Sequence, residues 1–300
     1  MSQHRVKFDF EIDFSNGGGV QGQGFRLDIE GDNIDDRSLG DLIVKDLRLL
    51  MVAAVRIRNK EIIRESHKRS ELTPAAGASA GGMIDLSHVI ESGMITYKGF
   101  PAPLVCDFMS REASQQHYSS GTSFQIGKIE MVANTGTYLD SPYHRFAHGE
   151  DVSELALARL AGLEAIVVNV DGMDGRSVDR GVFLPFDVRG KAVLVHTGWA
   201  RHWRTDRYFE GHPYLTESAA LHLQERGATL VGIDSLNIDD TSGGDRPVHT
   251  ALLGAGIPIV EHLCNLEKVP ASGARFTAAP ARVKGMGSFP VRAYATVGRA

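Results

Sequence analysis

Cysteine is almost absent from this 300-residue chain, which contains only Cys106 and Cys264. Two thiols so far apart build neither a disulfide framework nor a thiolate zinc cluster, and their scarcity fits a reducing, cytoplasmic setting. Positive charge is not in excess either. Lys and Arg number 32 against 37 Asp and Glu, a formal net charge of -5, so no global positive field exists to attract nucleic acid or an anionic membrane. Nowhere do about 18 apolar residues run together, and the opening "MSQHRVKFDFEIDF" lacks the unbroken apolar core of a secretory signal. The expected partner is a small molecule or a protein, with neither export nor membrane insertion. No internal repeat is visible.

What is present is an ordinary globular composition, 42% apolar and 23% charged, enough for one large domain and an accessory piece. From Val6 the pattern "VKFDFEIDF" alternates apolar and charged residues, the signature of a half-buried strand. The glycine-rich stretch after it lacks the Lys-Ser/Thr ending of a phosphate loop and predicts a hairpin connection. "FRLDIEG" reads as the return strand, and "SLGDLIVKDLRLLM" spaces its apolar residues for a helix. "VRIRNKEIIRE" reads as a strand hairpin turning at Asn59 and Lys60. These segments predict an accessory α+β module over residues 1–69. A linker rich in Ala and Gly follows over 70–82, and the main domain spans 83–300. In that domain "AIVVNV", "AVLVHT" and "TLVGID" read as buried strands, and "TESAALHLQERG" as a helix with Thr216 as N-cap and Gly227 at its end. Helix-then-strand order gives an α/β class.

Chemistry concentrates in two places. "NTGTYLDSPYHR" sets Asp140 and His144 either side of Pro142, and "DRPVHTALLGAGIPIVEHL" offers His249 and, twelve positions later, Glu261. Carboxylates and imidazoles from distant segments suit a metal-assisted or acid/base hydrolase, which needs ligands or a proton carrier near an activated water. They equally suit surface hydrogen bonding. His88 and His196 sit beside apolar strands and read as satisfied structural histidines, and Cys264 as a small buried apolar residue.

Several ordered blocks make residues 83 to about 297 resemble the cyclase family typified by bacterial kynurenine formamidase, which includes isatin hydrolase. These are "IDLSHVIESGMITYKGFPAP", "NTGTYLDSPYH" against the family pattern HxGTHxDxPxH, "LVHTGW", "VGIDSLNID", "VHTALLGAGIPIVEHLCNL" and "GSFPVRAYA". The resemblance implies a swivelling β/β/α-type domain and a homo-oligomer, dimer or tetramer. It places the metal and catalytic positions on Asn134, Tyr138, Asp140, His144, His249 and Glu261. The first two are histidines in metal-dependent members, so here a pair of ligands is replaced.

What remains is Asp140, His249 and Glu261, acceptable ligands for one zinc or manganese ion and equally a metal-free acid/base cluster. The resemblance makes His144 the general base and puts Tyr97 and Phe100 in a segment that walls the pocket, while the Tyr138 phenol suits either a donor to a developing oxyanion or an aromatic filling the space of a histidine and metal. Three functions stay open. The first is a hydrolase of amide, lactam or ester bonds in small aryl or cyclic substrates. The second is a metal-independent cyclase or lyase, and the third a non-catalytic small-molecule binding protein.

Overall fold

A computed structural model of the chain describes residues 4–15, 19–29, 31–47, 49, 52–64 and 82–298. The alternating segment forms β1 (His4–Phe14), with Val6, Phe8, Phe10 and Ile12 all at most 1% exposed. β2 (Gly19–Ile29) returns antiparallel to it, α1 (Asp36–Asp46) follows, and β3 (Val52–Arg64) pairs with β1 on its other side. The side chain of Asp35 caps α1 by accepting from Arg37 N and Ser38 N, and Leu39, Ile43 and Leu47 turn onto the phenylalanines of β1. Leu50 and Met51, expected at the end of that helix, lie outside the described residues, as does the linker apart from Gly82.

One expectation fails here. "VRIRNKEIIR" lies within one strand and is not a hairpin, because Asn59 adopts φ 51° and is absorbed as a bulge where the register shifts between the Asp9–Arg58 and Lys7–Glu61 pairs. The Asp9 carboxylate holds the bulge, accepting from Asn59 Nδ2 at 2.6 Å and from Gly24 N at 2.7 Å.

The chain divides into two compact units, Met1–Gly77 with Ile90–Ile95 and Gly99–Val132, and Ala78–Val89 with Thr96–Lys98 and Ala133–Ala300. β4 (Met83–Asp85) opens the second unit. The chain then re-enters the first with β5 (Leu104–Met109), the short α2 (Arg111–Ser114) and β6 (Ile126–Glu130). Strand pairing therefore cuts across the expected boundary at residue 83. The N-terminal sheet runs β3-β1-β2-β5-β6, and its core takes in Leu104 and Cys106 from beyond that boundary.

The second unit is α/β. Its strands are β7 (Tyr138–Asp140), β8 (Leu163–Asn169), β10 (Ala192–His196), β12 (Leu230–Ile233), β13 (Ile259–Glu261), β14 (Ala274–Thr277), β15 (Ser288–Pro290) and β16 (Tyr294–Val297). With β4 they form a nine-stranded mixed sheet, order β15-β7-β13-β12-β10-β8-β14-β16-β4. A two-residue pair, β9 (Ser177–Val178) and β11 (Tyr214–Leu215), stands apart. The central strands β8, β10, β12 and β13 run parallel and are buried on both faces, which is why they read as unbroken apolar runs.

Ala165, Val167 and Leu194 face one core, while Ile166, Val168 and Val193 face the other. That second core is covered by α3 (Glu217–Glu225) and α4 (Pro247–Gly254). Thr216 caps α3 as expected, accepting from Ala219 N, and Gly227 follows its end at φ 77°. No helix of the described residues is long and apolar enough to cross a membrane.

Candidate metal centre

Strand geometry assembles the site. In β7 alternate residues share a face, so Tyr138 and Asp140 point together while Leu139 turns into the opposite core. β7 lies between β13 and β15, and the register sets Tyr138 directly across from Glu261 and Asp140 directly across from Ser288. Both cross-strand pairs become hydrogen bonds. The Tyr138 hydroxyl donates to Glu261 Oε2 at 2.5 Å, and Ser288 Oγ donates to Asp140 Oδ1.

Pro142 then opens a 3-10 turn that returns His144 towards Asp140, leaving 3.8 Å between His144 Nδ1 and Asp140 Oδ1. Gly287 packs so close to the His144 backbone that a Cβ there would overlap it, and its carbonyl accepts from Ser141 N at 2.7 Å. The turn and the Gly287–Ser288 strand are thus fastened together.

His249 comes from the first turn of α4. Proline is common at such a helix start because the position needs no N–H partner, and here Pro247 occupies it. Asp239 serves the helix start in place of a conventional cap, accepting from Val248 N at 2.8 Å and His249 N at 3.0 Å. The same carboxylate holds His249 Nδ1 at 2.6 Å. This leaves His249 Nε2 turned to Asp140 Oδ2 and Glu261 Oε1, each at 3.7 Å.

Ser288 fixes the state of His144. Its one proton goes to Asp140, so its lone pairs accept, from Asn134 Nδ2 at 3.3 Å and from His144 Nδ1 at 2.9 Å. His144 therefore donates from Nδ1 in this network, which in the neutral ring puts the lone pair on Nε2. With 37% of its side chain exposed, His144 is the member of the cluster that meets solvent.

Electrostatics make the centre a trap for positive charge. Asp140, Asp239 and Glu261 are all at most 1% exposed. Burial pushes Glu261 up, the charge of His249 opposes this, that of Asp140 adds to it, and the result is about 7. Burial would push His249 down, but the Asp140 carboxylate it faces, its bond to Asp239 and the charge of Glu261 outweigh that and carry it up to about 10. Tyr138 is driven well above the ordinary phenol range by burial and by the charge of Glu261.

Among the described residues, those bringing three ligand atoms within 4.8 Å of one another are Asp140, His144 and His249. Asp140 Oδ2 is buried without a hydrogen-bond partner and faces His249 Nε2. A buried carboxylate oxygen left open beside an imidazole whose other nitrogen is held by Asp239 is the arrangement a divalent cation needs. The donor set therefore fits zinc or manganese.

The structure sorts the expected residues differently from the sequence. Glu261, expected as a ligand, has one oxygen taken by Tyr138 and the other by Ile238 N at 2.7 Å, and it reaches the cluster through His249. Tyr138, expected to aim at a developing oxyanion, is 1% exposed with its proton committed to Glu261. Tyr97 is held by a bond to Leu236 O at 2.7 Å and by Asn237 Nδ2 at 2.6 Å. Phe100, the other expected pocket wall, belongs to the other compact unit and is exposed.

His88, expected to be satisfied, stacks on Trp203 at 4.0 Å and leaves Nε2 buried without a partner; burial pushes it down to about 4. His196 is 8% exposed, with Nε2 3.9 Å from Asp234. Cys264 is partly buried, and burial pushes its thiol up to about 12, which suits no nucleophile. Sequence reasoning missed Asp239 and Ser288. The available signals were an aspartate shortly before a Pro-initiated helix and a serine inside the quoted "GSFPVRAYA" block.

The chain is similar to known proteins over about 70% of its length. The model of a family described as putative cyclase matches residues 84–240. A kynurenine formamidase of Bacillus cereus is 28% identical over 211 residues, covering 70% of this chain and 95% of that protein. One from Geobacillus thermodenitrificans is 30% identical over 173 residues, covering 57% and 79%. Among solved structures, isatin hydrolase A from Labrenzia aggregata, bound to benzyl benzoate, superposes with a TM-score of 0.62 at 22% identity, covering 72% of this chain and 94% of that one.

Proposed function

Because this chain belongs to the cyclase family, we propose that it is a hydrolase that directs water onto the amide, lactam or ester carbonyl of a small aryl or cyclic substrate. Its relatives by sequence are named kynurenine formamidases and one by fold is named an isatin hydrolase, so formanilides and isatin are the substrate classes to test. The observation that carries the reading is the orphaned Asp140 Oδ2, buried and facing His249 Nε2.

Asp140 and His249 would anchor one zinc or manganese ion, with His144 beside them. Bound there, such an ion lowers the pKa of water and polarises a carbonyl. The chain's own groups supply the rest. Asp239 fixes His249 in the tautomer that presents Nε2. Ser288 does the same for His144, whose free Nε2 accepts a proton from attacking water and returns it to the leaving group. Asn134 holds Ser288 in place by donating to its Oγ. Tyr138 holds the buried Glu261 in place, 3.7 Å from His249 Nε2. A small-molecule substrate, a homo-oligomeric assembly and a cytoplasmic setting belong to the same reading.

The test is turnover of a formanilide and of isatin by protein stripped with a chelator, then reloaded with zinc or manganese. Restored turnover together with stoichiometric metal supports the reading, and turnover that ignores the chelator removes the metal from it. His144→Ala separates the two roles open to that residue. Loss of turnover with metal retained assigns it proton transfer, and loss of both assigns it as a ligand.

One observation favours a second reading, a metal-independent cyclase or lyase. Asn134 and Tyr138, which stand where the family pattern has histidines, are bonded inward to Ser288 and Glu261 rather than left open. Turnover with no metal present would select it.

A further inference from the structure

Away from the Asp140 cluster, a cavity of about 310 Å³ lies beyond the carboxyl ends of β8 and β10, formed by the segments 170–178 and 197–213. Its lining carries three guanidinium groups, Arg176, Arg201 and Arg207, against a single carboxylate, Asp171. In a chain of net charge -5 this is a local reversal of sign.

Arg201 is ion-paired with Asp171 and Arg176 lies 3.7 Å from Asp240, so Arg207 carries the cavity's unpaired positive charge among the described residues. Arg207 lies over the Trp199 ring at 5.5 Å from its centroid, and it makes no ion pair among the described residues. Arg176 lies over the Tyr214 ring at 5.4 Å, with its nearest carboxylate, Asp240, at 3.7 Å. Arg201 donates through Nε to Gly198 O at 2.6 Å and through Nη2 to Asp171. Gly198 has φ 72°, and a Cβ there would overlap Arg201 and Asp171, so glycine is what lets that fork settle.

An arginine lying over an aromatic face keeps its N–H donors available to a planar oxyanion. The carboxyl ends of parallel strands are also where α/β sheets generally bind ligands. β10 and β13 are separated by β12 alone, so this cavity lies roughly 10 Å across the sheet from the strand that carries Glu261.

We propose that this cavity is a second ligand site, which takes a small oxyanion, a carboxylate or a phosphate, through Arg207, Arg176 and Arg201. The inference does not rest on the hydrolase reading, since it concerns binding and not turnover.

Isothermal titration of the full chain with benzoate, inorganic phosphate and the neutral benzamide tests it. Saturable one-to-one binding of benzoate or phosphate, and none of benzamide, is the expected result. Binding of benzoate alone assigns a carboxylate ligand, and of phosphate alone a phosphorylated one. Arg207→Gln and Arg176→Gln should each weaken the bound anion about tenfold or more while the circular dichroism spectrum stays unchanged. His144→Ala should leave the binding intact, which separates this site from the metal centre. No saturable heat from either anion at millimolar concentration overturns the proposal, as does wild-type affinity in both arginine variants.

Discussion

Tyr138→Phe removes one hydroxyl from the interior and keeps the ring. In the native chain that hydroxyl donates to Glu261 Oε2, while Oε1 is served by Ile238 N. The variant leaves Oε2 without its donor. What this costs depends on whether Glu261 is charged, because a lost neutral hydrogen bond costs about 0.5–1.5 kcal/mol and one to a charged group about 1.5–3 kcal/mol.

Burial pushes Glu261 up to about 7, above its unfolded value, so the folded chain holds a proton that the unfolded chain has released. A raised carboxyl contributes stability that is fully present below the unfolded value and is lost as pH rises through 7. Removing the Tyr138 bond, which favours the ionised form, raises Glu261 further and extends that loss to higher pH. The destabilisation should therefore be about 1 kcal/mol near about pH 5.5 and about 2–3 kcal/mol near about pH 8.5. Urea unfolding of both proteins at the two pH values, with chelator present, measures it. An equal loss at both pH values would refute ionisation of Glu261 in this range, and no loss at either would refute the hydrogen bond itself.

Asp239→Asn should weaken zinc or manganese binding about 10–100-fold in competition with a chromophoric chelator, because His249 loses the carboxylate that holds Nδ1; unchanged affinity would remove Asp239 from the site. Asn134→His combined with Tyr138→His places imidazoles at both divergent positions and should raise the metal content by one ion per chain, read by elemental analysis. The same stoichiometry as wild type would show that the inward hydrogen bonds are not what closes that position. His88 titrates at about 4 when folded and about 6.5 when unfolded, so stability present above the unfolded value is lost as pH falls through this window. His88→Phe keeps an aromatic ring on Trp203 and should lose about 1–2 kcal/mol less than wild type between about pH 7 and about pH 5; parallel acid curves would contradict the assignment.

Periodicity made the regular elements legible. Val6 to Ile12 showed β1, the doubly buried runs showed β8, β10 and β12, and Thr216 with Gly227 marked both ends of α3. It failed where the backbone departs from period two. "RNKE" carries turn chemistry, and only the Asp9 carboxylate on a neighbouring strand decides that Asn59 becomes a bulge instead of a hairpin tip. It also failed where pairing is distant, since nothing local in "PLVCDFM" says that β5 will join a sheet begun about a hundred residues earlier.

The site shows the same division. Asp140, His144, His249 and Glu261 were found by residue type, but their partners depend on register, which placed Ser288 opposite Asp140 and Glu261 opposite Tyr138. Only with those partners in view does the replacement of two histidines make chemical sense. Asn134 and Tyr138 supply hydrogen bonds to Ser288 and Glu261, so the positions they occupy are filled by donors and not by ligands. Neither side chain brings a positive charge, and Asp140, Asp239 and Glu261 still converge on His249. Without an ion, the only compensation inside the cluster is the proton that lifts His249 to about 10. One imidazolium cannot balance three buried carboxylates, so Glu261 retains a proton up to about 7 and Asp140 Oδ2 stays open. Asp140 and His249 would hold a divalent cation there, and its charge would offset these buried carboxylates, so the cluster suits a metal although Asn134 and Tyr138 supply no ligand.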